Sequence, residues 1–442
     1  MRLSNIYKMI AVIFSLMTIF TTNVYSVEIS WLLSQTWKVK DSGFLKEFYK
    51  VHPDIKVNLE QFPINGVYEQ IQVRVGTCQK DPDVVIVNAP FTASYGLKGW
   101  LVPLDDVFTN QEKGNWYKAS FDIGSYKGKF LSAPIHTSTQ NIYYNADIFK
   151  DANLNPPGPD DRLTWEEVRD LAIKLTKDKD GDGATDIWGF NWEQTTQYYQ
   201  LQPLFLSKGG ESIGSDGLKV DGIVNSDHWI SGLQFYGDMF NKYKASPVTS
   251  VRVWEMFRTG QLAMMLAGPW NVGRLSGKNP GFEWGMSRHP YFKGGKIVTP
   301  TSGWHLGVSA CSDQQEAAKT FVHWFTTEAG GKAWFSKVRT ALSAQRPVNN
   351  AILDDKKYQN KPWNNIRIAI EEAGVNPVPR PSMEGYYEYQ QTLENAFSDI
   401  RNGVPAKKAL DASINRLNSE LLKYKKLLIS SNGKTIAALQ LY

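Results

Sequence analysis

Apolar residues recur along this chain in two rhythms that repeatedly replace one another. "VEISWLL", from Val27, reads as a strand. "SGFLKEFYKVH" then carries apolar residues at helical spacing and stops at Pro53. "IKVNLEQF" alternates as a strand does, "VYEQIQVRV" returns to the helical period, and "DVVIVNA" is a short unbroken apolar run. Buried strands of parallel sheets look like that last run, and strand, helix, strand, helix, strand is the order of an α/β layer. Further on, "LTWEEVRDLAIKLTK" predicts a helix capped by Thr164, with Glu167 completing a capping box and Trp165, Val168, Leu171, Ala172 and Leu175 as its apolar stripe. "LAMMLAG" predicts a strand ending in the turn "GPWN", and "GWHLGVSAC" another strand. "SDQQEAAKTFVHWFTT" predicts a helix with Ser312 and Gln315 as its capping box. Two long helical patterns close the chain, separated by the stop signal Asn402-Gly403, with Pro405 opening the second. From about Leu427 no pattern is clear, and residues 426–442 are expected to form a tail.

At 442 residues the chain is too long for one ordinary domain, and two or three are expected. Aromatics make up 13% of it, more than a core needs, which implies a cleft for something flat and partly apolar. Arg2 and Lys8 precede the apolar run "MIAVIFSLMTIF", which is too short to span a bilayer comfortably, and Val24-Tyr25-Ser26 offers small side chains where a signal peptidase cuts. A cleaved signal peptide over 1–26 and a periplasmic location are expected. The whole chain carries a formal charge of only +5, two units of which lie in that leader, too little and too dispersed to imply nucleic acid. Two cysteines remain, Cys78 and Cys311; in an oxidising compartment they are able to pair, but spacing alone leaves a bridge and two buried thiols equally open.

Two stretches suggest chemistry. "KDKDGDGATD" places Asp178, Asp180, Asp182 and Asp186 at positions 1, 3, 5 and 9 of a calcium loop, with Gly183 at position 6. Position 12, where an EF-hand needs a bidentate acid, is Gly189, and a strand-like segment follows instead of a helix, so an EF-hand is excluded. Weak calcium binding by four carboxylates and water remains, beside a solvated turn in which the Asp side chains bond local amides. "GESIG" matches the serine-hydrolase string around Ser212 but sits in a Gly/Ser-rich loop with no helix after it, so the required elbow is missing. The six histidines show no metal-ligand spacing, and the chain has no phosphate-binding loop.

Three further segments, taken together, resemble one family. "APIHTSTQNIYYNADIFKD" is similar to its signature, matching at Tyr144-Asn145 and Phe149 and departing at Asn141, where a small residue is usual. "FRTGQLAMMLAGPWN" and "GVSACSDQQEAAKTFVHWFTTEAGGKAW" are similar to two more of its segments. On these residues the chain resembles the extracellular solute-binding proteins of ABC transporters, of the maltose-binding-protein type, and order and spacing agree over nearly the whole chain after the leader. The resemblance implies two hinged α/β lobes, each a mainly parallel sheet flanked by helices. They would take in 27–136 with 304–355 and 137–303 with 356–425. It also implies a sugar ligand held in the cleft, a membrane permease as partner, no catalysis, and a monomer. Both cysteines would then lie at strand ends of the first lobe, within reach of a bridge.

The cleft residues implied are Ser34 to Trp37, Asn88 and Ala89, His136, Thr137 and Ser138, Trp192, Gln194 and Tyr198, Trp270, Gly303 and Trp304, and Tyr386 and Tyr387. For each aromatic, core packing is the alternative. The types suit a sugar: flat rings stack on pyranose C–H faces, while amides, carboxylates and hydroxyls pair with the hydroxyl rim once water leaves. Glycerol 3-phosphate or a related polyol or phosphodiester is the alternative ligand, for which Arg346 or Arg380 would supply positive charge. A secreted glycosidase is the rival from another class.

Overall fold

The computed structural model describes residues 27–431; the expected signal peptide (1–26) and the end of the expected tail (432–442) lie outside them. Twelve strands run in chain order: β1 (Val27–Ser34), β2 (Ile55–Phe62), β3 (Val84–Asn88), the hairpin β4 (Ser125–Tyr126) and β5 (Lys129–Phe130), β6 (Ala133–Ser138), β7 (Asn141–Asn145), β8 (Trp188–Trp192), β9 (Leu262–Ala267), β10 (Trp284–Ser287), β11 (Thr299–Val308) and β12 (Pro377–Pro379). They make two principal sheets. The first has the order β12-β11-β3-β1-β2, with β6 also paired to β11; the second has the order β10-β7-β9-β8. Helices cover both, which gives the expected two-lobed α/β architecture.

Strand sense departs from expectation in the second lobe. β8 and β9 are parallel, but β7 runs antiparallel to both β9 and β10. The cause is the chain's route: β6 and β7 are separated only by Thr139 and Gln140, so one extended segment leaves the first sheet and enters the second from the opposite end. In the first sheet β1 is parallel to β2 and β3, while the returning β11 is antiparallel to β3 and β6. β11 and β12 pair in parallel over Thr299–Thr301. The segments β6–β7, β11 and β12 therefore lie side by side where the lobes join. Gly303 is fixed by this crossing, because a Cβ there would sit 2.2 Å from the His136 carbonyl oxygen.

Local signals explain most of the framework. Every residue of β3 is buried, as its unbroken apolar run implies. The helix Trp165–Leu175 has the expected Thr164–Glu167 capping box, with both reciprocal bonds made. The box expected at Ser312 and Gln315 does not form: the helix spans Gln315–Thr326, and the Ser312 hydroxyl instead bonds the buried Asp83 carboxylate and accepts from the Gln314 amide. The last helix, Ala406–Ser431, continues across the start of the expected tail; Leu410, Leu417, Leu421 and Tyr424 are buried at helical spacing and hold it down. Phe335, Leu342, Val348 and Ile352, expected in the first lobe, pack into one apolar cluster with Met265, Val272, Leu275 and Trp284 of the second.

Candidate functional site

The two sheets flank a cavity of about 1230 Å³. It opens at the carboxyl ends of the parallel strands β1 and β3, the place where open α/β sheets leave room for a ligand. β1 ends at Ser34, whose hydroxyl accepts from the Thr36 amide (3.3 Å) and turns the chain so that Trp37 faces the cavity. β3 ends at Asn88, paired with Trp304 of β11, and Trp304 pairs in turn with His136 of β6. The register of β11 against β6 shifts between Trp304 and His305; such a bulge re-aims the side chain beside it. Trp37 meets Trp304 edge to face (5.7 Å, 84°) and His136 likewise (6.3 Å, 73°). Tyr68 lies parallel to Trp304 (6.3 Å, 13°), and its hydroxyl accepts from Asn88 Nδ2 (3.0 Å). Burial pushes the Tyr68 hydroxyl up to about 12 and, with help from the positive Arg339, pushes the His136 imidazole well below its ordinary value. This wall is aromatic and uncharged at neutral pH.

The wall around Trp270 is built differently. β8 ends at Trp192, and Glu193 follows into the cavity, its amide bonded to the Leu266 carbonyl. The Glu193 side chain is only 6% exposed. Its carboxylate accepts from Trp270 Nε1 (2.9 and 3.0 Å) and from Arg274 Nη1 (3.2 Å). Trp270 and Arg274 are one turn apart on the helix Trp270–Lys278. Gly268 is needed here, because a Cβ would lie 2.2 Å from the indole. The Arg339 guanidinium stands over the Trp270 ring at 5.9 Å. Loss of water, and then the nearby Arg274, push Arg339 down to about 10, so it stays charged at neutral pH. Glu394 accepts from Gln197 Nε2 (3.3 Å) and the Tyr198 amide (3.4 Å); burial outweighs those bonds and raises its carboxyl to about 7. Arg380 joins the two walls, donating to Asn88 Oδ1 and to Gln390 Oε1 (3.5 Å).

Of the residues expected in the cleft, Ser34, Thr36, Trp37, Asn88, His136, Ser138, Gln194, Trp270, Gly303, Trp304 and Tyr387 line it, and Gln35 does not. Three aromatics do not, and each misses by one residue. Trp192 is buried against Trp165 (5.8 Å) and Tyr236 (5.0 Å), because β alternation sends it to the core and its neighbour Glu193 to the cavity. Tyr198 is buried with its hydroxyl near that of Tyr389 (3.4 Å), and Tyr199 lines the cavity instead. Tyr386 is buried between Phe91 and Tyr198, whereas Tyr387 is 41% exposed and faces the cleft. Ala89 and Thr137 are buried off the cavity. Trp270 begins a helix where a turn was expected. Arg346 is outside, bonded to the Gly114 carbonyl, while Arg380 is inside. Sequence reasoning missed Tyr68, Glu193, Tyr199, Arg274, Arg339 and Glu394; Arg274, four residues after Trp270, had a signal in the i, i+4 spacing.

Asp178 accepts from the Gly181 and Gly183 amides (2.7 and 2.8 Å), which hold its carboxyl below the usual range, and Asp186 accepts from Lys179 (2.6 Å). Carboxylate oxygens of Asp178, Asp180 and Asp186 come within 4.8 Å of one another. Asp182 is not part of that group; its carboxylate turns to the Ala184 amide (2.7 Å). A twelfth-position acid has no room, since a Cβ on Gly189 would lie 1.9 Å from the Ala172 carbonyl oxygen. The bonding is that of an Asx-type turn. Cys78 and Cys311 are bridged, with alpha carbons 5.2 Å apart. Cys311 follows β11 and Cys78 precedes β3, so the bridge clamps the end of the first sheet remote from the cleft. Ser212 lies in the loop between the helices Tyr198–Leu206 and Asp227–Asn241, away from any strand-to-helix elbow.

Fold and cleft define a two-lobed binding protein. The chain belongs to the bacterial extracellular solute-binding protein family, whose profile matches residues 39–332. It is 23% identical to the maltotriose-binding protein of Pyrococcus abyssi over 392 residues, 86% of this chain and 78% of that one. It is also 23% identical to the arabinooligosaccharide-binding protein of Bacillus subtilis, over 66% of this chain and 67% of that one. The chain spans 58% of the length of the first curated relatives it matches, putative binding proteins of Brucella. An ABC substrate-binding protein from Listeria monocytogenes in complex with cycloalternan superposes with a TM-score of 0.78, at 22% identity over 89% of this chain and 98% of that one. A solute-binding protein from Thermotoga lettingae bound with α-D-tagatose gives 0.75, at 21% identity over 90% and 100%. These relatives are binding proteins, not enzymes.

Proposed function

We propose that this protein captures a sugar, a mono- or oligosaccharide, in the interlobe cleft and delivers it to an ABC import permease. The observation that carries the reading is the cleft itself: about 1230 Å³, with flat rings at Trp37, Trp304, Trp270 and Tyr387 and a polar rim of Asn88, Ser138, Gln194 and Gln390. Stacked rings and paired amides are what a pyranose asks for. The volume exceeds what glycerol 3-phosphate would fill, which favours a larger ligand. The crossing strands β6–β7, β11 and β12 form a short connection of the kind about which two lobes close on a ligand. Ligand-gated closure would then present a different surface to the permease. The apolar run and small residues before Val27 support export through a cleaved leader and a periplasmic location; sequencing the exported protein's N-terminus tests this, with Val27 expected and a retained Met1 excluding it.

The direct test of the ligand class is a thermal-shift screen of the exported protein against mono-, di- and oligosaccharides together with mannitol and glycerol 3-phosphate. A true ligand at 100 times its dissociation constant adds about 2.7 kcal/mol of stability. The sugar must be recovered unchanged after incubation; release of cleaved product would instead establish a glycosidase.

A further inference from the structure

Arg339 is a half-buried charged group of the cleft that the fold does not pair; Lys38 and Glu69 also line the cavity without an ion pair, but both are exposed. No carboxylate among the described residues lies within 4.0 Å of its guanidinium, although the other cleft arginine beside Trp270, Arg274, is paired to Glu193. The Glu193 oxygens are turned to Trp270 Nε1 and to Arg274. Arg339 donates no side-chain hydrogen bond to another described residue, and its guanidinium stands over the face of Trp270, 5.9 Å away. It follows the helix Glu328–Lys337 in a short segment held tightly against the second lobe: a Cβ on Gly273 would lie 2.5 Å from the Thr340 hydroxyl. The guanidinium is thus presented to the cavity rather than left to wander in solvent. Holding a half-buried charge away from water without a partner is costly, and the cost is recovered when an anion supplies paired acceptors. The low position of the Arg339 pKa, about 10, reports the same loss of water.

Resting on the sugar-binding reading, we propose that the natural ligand is an acidic saccharide whose anionic group, a uronate carboxylate or a phosphate monoester, is bound by the Arg339 guanidinium beside the Trp270 ring. Either group offers two oxygens in the geometry a guanidinium matches with two parallel hydrogen bonds, which an ammonium cannot reproduce. The adjacent indole would carry the C–H face of the same residue. No other positive charge need move, because Arg274 stays with Glu193 and Arg380 stays with Asn88 and Gln390.

The test is calorimetric titration of the exported protein with trigalacturonate and its fully methyl-esterified form, and with glucose 6-phosphate and glucose, at low and high salt. The acidic member of at least one pair is expected to bind about tenfold tighter or better, and whichever pair shows it identifies the anion. In Arg339→Gln that ratio should fall to within about twofold, while Arg339→Lys retains part of it. Circular dichroism and melting of both variants confirm that they are folded. Neutral members that bind as tightly as their acidic partners in both pairs overturn the proposal and leave the sugar reading standing. A ratio that survives in Arg339→Gln overturns the role of Arg339. Failure of every saccharide, neutral and acidic, in a folded protein overturns both.

Discussion

The two walls of the cleft solve different problems. The wall of Trp37, Tyr68, Trp304 and His136 is a set of rings packed on one another, close to the strands where the lobes join, and its only ionisable imidazole is kept neutral by burial. The wall around Trp270 is a set of charges: Glu193 orients the indole, Arg274 balances Glu193, and Arg339 stands over the ring. The first wall is part of the lobe's core and is stiff because its rings support each other. The second is held by polar bonds that a ligand is able to complete. Stability and recognition are therefore expected to separate between the walls, with mutations of the first read mainly in melting and mutations of the second mainly in affinity.

The largest effect should come from breaking the ring-packed wall. Trp304→Ala removes the face against Tyr68 and the edge contact with Trp37, and should cost about 3 kcal/mol of stability as well as weakening binding. Equilibrium denaturation measures it; a loss confined to affinity would mean that the first wall is no more structural than the second. Next, replacing both Cys78 and Cys311 by Ser should lower stability by about 2–4 kcal/mol and leave affinity nearly unchanged, because the bridge sits at the end of the sheet away from the cleft. An affinity change as large as the stability change would show that the far end of the sheet governs the cleft.

A smaller effect sharpens the comparison through pH. Burial raises the Glu394 carboxyl to about 7, above its ordinary value, so between about pH 4.5 and 7 the folded protein holds a proton that the unfolded chain has released. The stabilisation this gives is complete below that window and lost as pH rises through it. Melting temperature should thus decline from pH 5 to 7.5 in the wild type and decline less in Glu394→Gln. Identical profiles for the two proteins would remove Glu394 as a buried carboxyl.

Much of this was legible in the sequence, for reasons that particular residues show. The β3 run Val84–Val87 and the Thr164–Glu167 box depend on near neighbours, and both form as the pattern implies. Cleft residues on the strands, such as Asn88 at the end of β3 and His136 and Trp304 where β6 and β11 cross between the lobes, were within reach because a family resemblance locates strand ends and crossings. Phase was harder. Trp192, Tyr198 and Tyr386 each precede the residue that faces the cavity, and only the packing around Trp165, Tyr389 and Phe91 decides which of two neighbours turns inward. Arg339 and Glu394 carried no signal, since their environment is made by elements distant in sequence. The antiparallel β7 was hidden for the same reason: strand sense follows from the crossing at Thr139-Gln140, not from the composition of the strand.

The central claim is that the charged wall, with Trp270 as its platform, grips the ligand. It is tested most directly by titrating Trp270→Ala with the saccharide that most stabilises the wild type, beside melting of both proteins without ligand. Truncating a ring of this kind at a binding site costs about 2 kcal/mol, which is roughly thirtyfold in affinity. The account predicts that loss together with a ligand-free melting temperature lowered by no more than about 2–4 °C, the equivalent of about 1 kcal/mol. Unchanged affinity accompanied by a larger drop in melting temperature would contradict it and make Trp270 a core residue.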